Sequence, residues 1–308
     1  MSSSKNFTIK KIAQLTGHAA GVYAFAQGNS AHTVFTGSGD NFVAEWNLEK
    51  LYPEKFSVNV GQTIYSLCHI PHRNILMIGQ GNGDIRVVDL KKKEEIKHFV
   101  HHKAGVFALA YADKRNMFVS AAADGVFSVW DAETFEVIRT IPICKKKLRA
   151  IDFNHDQTLM AVACGDGKVR VFDTEMFNEL HTLEGHFEGS VYSVKFHPNL
   201  PLLLSGGKDA HLRFWKTDEE FKAVRAIPAH NFAIYSIVFS PDGQICATGS
   251  RDKTIKIWDA DNFDTPLRID KIQHQGHINS VNALYWNENP NRLISTGDDR
   301  TVMIWEVE

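Results

Sequence analysis

Five histidines, His18, His102, His186, His230 and His277, each stand about 22 residues ahead of an aspartate: Asp40, Asp124, Asp209, Asp252 and Asp299. Four residues before each aspartate is a hydroxyl (Thr36, Ser120, Ser205, Thr248, Ser295), and six residues after it is a tryptophan (Trp46, Trp130, Trp215, Trp258, Trp305). A hydroxyl, an imidazole and a carboxylate invite a catalytic reading, with nucleophile, base and orienting group in one set. The set occurs five times, however, whereas an active site usually occurs once. The expectation is therefore a buried structural network, useful only if every member is satisfied. Removing one partner should cost about 1–3 kcal/mol through the polar group left orphaned.

Other chemistry is hard to find in the chain. There is no GxxxxGK[ST] phosphate loop, HExxH zinc helix or GxSxG nucleophile elbow. Gly79-Gln80-Gly81-Asn82-Gly83 is glycine-rich but lies between strands and opens no helix, so it reads as a hairpin. His69 and His72, or His274 near His277, could bind a metal only adventitiously. None of the four cysteines, Cys68, Cys144, Cys164 and Cys246, forms a C-x-x-C pair, and they read as reduced thiols of a cytoplasmic protein. No enzymatic activity, cofactor or metal is expected.

The tryptophan slot has a period. Filled by Trp46, Val88, Trp130, Phe172, Trp215, Trp258 and Trp305, it advances in steps of 42, 42, 42, 43, 43 and 47 residues, and it holds five of the six tryptophans. Between these markers the chain alternates with period two, as in Thr254-Ile255-Lys256-Ile257-Trp258, and Pro-Asp-Gly at 241–243 punctuates a hairpin. About four short strands per repeat of this length predict a propeller blade. Two blades depart from the quartet. Blade two has Val60, Ile78, Asn82 and Val88 in its slots, and blade four has Cys144, Val162, Asp166 and Phe172; both should lean on apolar packing.

Gly17-His18, Gly185-His186, Gly276-His277, Trp130-Asp131 and Trp258-Asp259 resemble the signature of the WD-repeat (WD40) family, and the resemblance covers essentially the whole chain. It implies an all-β, closed seven-bladed β-propeller with four antiparallel strands per blade. It also implies that the quartet is a hydrogen-bonded network inside each blade and that an N-terminal strand completes the last one. The expected blades are 16–60, 61–102, 103–144, 145–186, 187–230, 231–276, and 277–308 joined by 7–15, all in one domain.

Four residues past each histidine slot stands an apolar anchor: Val22, Ile64, Val106, Leu148, Val191, Ile234 or Val281. The resemblance implies that the next residue faces the top of the ring at the channel mouth. Those residues are Tyr23, Tyr65, Phe107, Arg149, Tyr192, Tyr235 and Asn282, five of them aromatic in a chain that is 11% aromatic. The residue before each aspartate marker should also lie on top, which adds Lys208, Arg251 and Asp298, while Gly39, Gly81, Ala123 and Gly165 leave blades one to four open. The expected surface is an aromatic floor on blades one to three facing a charged wall. Exposed aromatics suit an interface or the sandwiching of a partner's basic side chain, although they could instead simply pack the mouth.

Lys145-Lys146-Lys147 with Arg149 is the strongest local basic run; it falls in the top-side loop of blade four and reads as a solvated loop or, alternatively, as a contact for an acidic patch or phosphate of a partner. The formal net charge of −2 gives no general attraction to nucleic acid, and no run of about 18 apolar residues exists to span a membrane. The reading is a non-catalytic scaffold or complex subunit that binds a protein or peptide, with Lys147 among the contact residues and no small-molecule substrate. A channel-centred hydrolase-like or lactonase-like site and a nucleic-acid-associated subunit are the alternatives.

Overall fold

The computed structural model describes residues 7–186, 189–288 and 291–308. Seven antiparallel four-stranded sheets are arranged as the blades of a ring. Their innermost strands are Val22–Gln27, Ile64–Ile70, Val106–Ala112, Leu148–Phe153, Val191–Phe196, Ile234–Phe239 and Val281–Asn287. Each innermost strand contacts that of the next blade, and the seventh contacts the first. In the seventh blade the outermost strand is Ile9–Thr16, which pairs antiparallel with Thr301–Val307 so that both ends of the chain meet in one sheet.

Burial follows strand position. The second strands, such as Thr33–Ser38, Ile75–Gln80 and Met117–Ala122, are buried along their whole length because neighbouring sheets cover both faces. The outermost strands, such as Val137–Pro142 and Lys222–Pro228, are mostly exposed. This is why the repeat reads as apolar runs in its middle and polar alternation at its rim. The long last step of the period has a local cause. Before the seventh blade the chain makes one helical turn, Lys271–His274, capped by Asp270, whose carboxylate accepts from the Ile272 and Gln273 amides.

The blades interlock through the anchors, all of which are fully buried. Ile64, Val106, Ile234 and Val281 seat over Gly37, Gly79, Gly206 and Gly249 of the preceding blade, where an added Cβ would fall 2.4 to 2.9 Å from the anchor's side chain. Leu148 and Val191 share apolar clusters with Ala121 and Ala163 in the same slot. Thr296 closes the ring by donating to the Val22 carbonyl at 3.3 Å. The slot just after the hydroxyl is thus small in every blade.

All five quartets form the same network. The imidazole Nε2 lies 2.8 Å from the hydroxyl in each. The indole N–H donates to that hydroxyl at 2.7–3.0 Å. The imidazole Nδ1 lies 2.8–3.2 Å from the carboxylate. A neutral imidazole protonated on Nδ1 satisfies every group: Nδ1–H donates to the carboxylate, Nε2 accepts the hydroxyl proton, and the hydroxyl oxygen accepts from the indole. Each carboxylate also accepts from the amide two residues on, holding the turn that follows.

In blades two and four Val60, Ile78, Val88, Val162 and Phe172 are all buried, in keeping with apolar packing. Packing is only half of the substitution, because each blade also carries a different polar network built on an arginine two residues before the tryptophan slot. In blade two Arg86 donates to Gln80 at 3.0 Å and pairs with Glu95, while Asp84 pairs with His98 at 2.8 Å. In blade four Arg170 grips both oxygens of Asp166, at 3.1 and 2.7 Å.

Burial shifts the titration of several quartet members. It pulls the imidazoles of His102, His186 and His230 below the usual range. Burial alone would raise the carboxyls of Asp209, Asp252 and Asp299, but the hydrogen bond and charge of the paired histidine outweigh it. All three stay low, Asp209 at about 2 with help from Arg213. Both shifts give stability the same sign. A depressed histidine contributes fully above its unfolded value of about 6.5 and loses that contribution as pH falls below it; a depressed aspartate does the same below about 4. The thermal midpoint should therefore fall between pH 7 and 5 and fall again below about pH 4, as followed by circular dichroism. A midpoint that rises on acidification from 7 to 5 would contradict the neutral-imidazole network.

Candidate functional site at the mouth of the ring

The residues after the seven anchors come together at one end of the channel, and the backbone shows why. In every blade the pairing of first and second strands slips by one residue at this position. The slips fall between Val22 and Ala24, Ile64 and Ser66, Val106 and Ala108, Leu148 and Ala150, Val191 and Ser193, Ile234 and Ser236, and Val281 and Ala283. The skipped residue is a β-bulge, which frees a side chain from the sheet's in-and-out alternation and re-aims it. Tyr23, Tyr65, Phe107, Arg149, Tyr192, Tyr235 and Asn282 are these bulged residues. Each is half-buried beside a fully buried anchor.

A second device fixes the height of the mouth. In every blade the amide before the aspartate slot donates to the carbonyl of the residue before the anchor, Gly39 to Gly21 and Lys208 to Ser190 for example, at 2.7–3.1 Å. This brings the two sets of residues assigned to the top into one turn-and-loop layer. The small residues there make room for the rings: a Cβ on Gly39 or Gly81 would sit 3.3 Å from the ring of Tyr23 or Tyr65.

The side chains form a continuous arc. Ring centroids are 5.5 Å apart for Tyr23 and Tyr65, 4.8 Å for Tyr65 and Phe107, and 5.3 Å for Tyr192 and Tyr235. Arg149 bridges the two aromatic groups, its guanidinium carbon 4.3 Å from the Phe107 centroid and 5.1 Å from that of Tyr192. Asn282 closes the arc on blade seven by donating to Asp298 at 2.8 Å. Together they line a cavity of about 610 Å³, to which Lys147 and Asp298 also contribute.

This differs from the expected floor and wall. The aromatics run from blade one to blade six, and the sandwiched base is the chain's own Arg149. Lys208 and Arg251 lie exposed on the outer part of the same face, Arg251 at 6.0 Å from the centroid of Phe232. Phe232 and Ile278, in the loops entering blades six and seven, are 58% and 51% exposed and add apolar surface to the rim. A smaller recess of about 390 Å³ lies on the opposite face, among the turns at Asn154–Asp156 and Phe196–Pro201.

One cluster escaped the sequence reading. Cys144 and Cys164 face each other near Asp166, with ligand atoms all within 4.8 Å, the one such group of three among the described residues. A metal would have to compete there with Arg170, which holds both Asp166 oxygens. The signal was available, since Cys144 fills the histidine slot of blade four. A hydrogen bond from Cys164 outweighs burial and lowers Cys144 to about 7, while that same bond and burial push Cys164 far up.

The fold and the repeated network define a propeller of the WD-repeat class. The family model for WD40 (WD domain, G-beta repeat) matches residues 9–47, 93–131, 135–173, 177–216, 221–259 and 270–306, and the chain belongs to this family. Comparison with curated proteins gives no match. The first five matched segments begin on one blade's outermost strand or within two residues of it, the sixth begins just after such a strand, and all end on the next blade's third strand, the same offset that places Ile9–Thr16 in the seventh sheet. The unmatched stretch, 48–92, holds most of blade two, which lacks the quartet. Propellers of this family are commonly protein-interaction scaffolds and typically not enzymes.

Among the four free thiols, Cys68 is pushed up to about 12 by burial and Cys246 is also raised. Iodoacetamide should therefore label Cys144 first in the folded protein, with a half-maximal rate near pH 7, read by peptide mass spectrometry. Equal labelling of all four cysteines would contradict this geometry.

Proposed function

We propose that this chain is a non-catalytic binding platform that receives a peptide segment of a protein partner at the mouth of its ring. The observation that carries the reading is the arc itself: seven bulged side chains, five of them aromatic and all half-buried, line one cavity beside the fully buried anchors. Aromatic side chains with few rotors give contact area at low entropic cost and are over-represented among interface hot spots. Phe232 and Ile278 extend the apolar rim beyond the cavity. The single carboxylate and few cations in the lining favour a mixed polar and apolar segment over a nucleic-acid backbone. The free thiols favour the cytoplasm as its place of work.

Tyr23→Ala combined with Phe107→Ala should weaken capture of the native partner by about tenfold or more, since two anchors are removed. The thermal midpoint should change little. Co-purification from the source cell, quantified beside thermal unfolding, checks this. Unchanged capture with a large loss of stability would mean that the rings only pack the channel.

A further inference from the structure

The most informative group in the mouth is Arg149. Phe107 and Tyr192 flank it, their ring centroids 4.3 and 5.1 Å from the guanidinium carbon, in cation–π contact. The rings take none of its N–H donors. Among the described residues Arg149 makes no hydrogen bond or ion pair, and its Nε is buried without a partner. Burial pulls the guanidinium below its usual value and outweighs the opposing effect of Tyr192, Tyr235 and Tyr65, as expected of a charge held partly away from water.

Its surroundings reinforce the charge. The Lys147 ammonium lies 5.6 Å from the Phe107 centroid on the same side of the cavity. Lys208 and Arg251 follow on the top turns of blades five and six, and none of the three is paired with a carboxylate among the described residues. The one acidic residue lining the cavity, Asp298, is on blade seven and is bonded to Asn282. A basic group entering between the rings would meet Arg149 already in that place.

We infer that the mouth selects an acidic peptide segment, and that the in-plane edge of Arg149 takes a side-chain carboxylate of that segment while the flanking rings take its apolar neighbours. A guanidinium presents parallel N–H donors that match the two oxygens of a carboxylate. The two flanking rings restrict where the fork can lie. A lysine in the same position could supply the charge but not the paired donors. A polyanion such as a nucleic acid fits less well, because Asp298 faces the cations across the cavity and the chain as a whole carries a net charge of −2. The inference rests on the mouth being the docking surface, and it adds the chemistry of the group that docks.

The test uses the full chain and two acetylated, amidated tetrapeptides, Phe-Glu-Glu-Phe and Phe-Lys-Lys-Phe, with inorganic phosphate as a third probe, titrated calorimetrically at low salt. The glutamate peptide should bind about tenfold or more tighter than the lysine peptide. Arg149→Gln should remove most of that preference, and Arg149→Lys should restore only part of it, because it returns charge without the fork. Lys97→Gln, on the outermost strand of blade two, should leave binding unchanged. Thermal unfolding of each variant separates a lost contact from a lost fold, and if Arg149→Gln fails to fold, the incomplete rescue by Arg149→Lys carries the test.

Equal or tighter binding of the lysine peptide, or full affinity in a folded Arg149→Gln variant, would overturn the inference. Phosphate binding with the same Arg149 dependence, without binding of the glutamate peptide, would reassign the site to a small anion. If neither peptide binds while partner capture still depends on Tyr23 and Phe107, the acidic selection falls and the docking surface stands. If capture is independent of those rings, the docking surface itself falls.

Discussion

The structure depends on one contact made at every blade junction. At the head of each innermost strand an apolar anchor presses into the second strand of the preceding blade, where glycine, alanine or threonine leaves space for it. Where that residue is glycine, a Cβ would stand 2.4 to 2.9 Å from the anchor, closer than side chains tolerate, so blade spacing and tilt leave little room for alternatives. A ring of seven such junctions has no free end. The pairing of Ile9–Thr16 with Thr301–Val307 then joins the two ends of the chain within one sheet.

From that contact the site follows. At the residue after each anchor the alternation of the sheet slips by one, beside an anchor fixed against the preceding blade. The bulge takes up the extra residue and turns its side chain to the mouth. The quartets act from the other side of the same turn: each carboxylate holds its own loop, and the indole and hydroxyl tie that loop to the third strand. Adjacent residues therefore have different surroundings, a fully buried anchor and a half-buried residue at the mouth.

Much of this was legible in the sequence for physical reasons. The tryptophan slot, the histidine-to-aspartate spacing and the period-two strands repeat because each blade must solve the same packing problem. Seven chances to see the pattern outweigh its loss in blades two and four. The arc residues could be named by counting from the histidine slot. The bulge could not, because it is a slip in register and leaves no mark in residue types. The small residue after the hydroxyl was visible at Gly37, Gly79 and Ala121 but gains meaning only when the next blade's anchor is seen above it. Arg149 could be assigned to the mouth by the same counting, but not its place between Phe107 and Tyr192, because those rings come from two other blades. The networks on Arg86 and Arg170 were missed because a lost tryptophan was read as lost polarity rather than as room for a different ion pair.

The central claim is that the bulged positions form the docking surface and the opposite face does not. Site-specific photo-crosslinking tests it most directly, with p-benzoylphenylalanine placed at Tyr65 in the mouth and, separately, at Lys92 in the hairpin on the other face, each expressed in the source cell. The account predicts one discrete adduct from position 65, absent at position 92 and diminished when Arg149 is replaced by glutamine. Adducts from position 92 alone, or of equal yield from both, would contradict it.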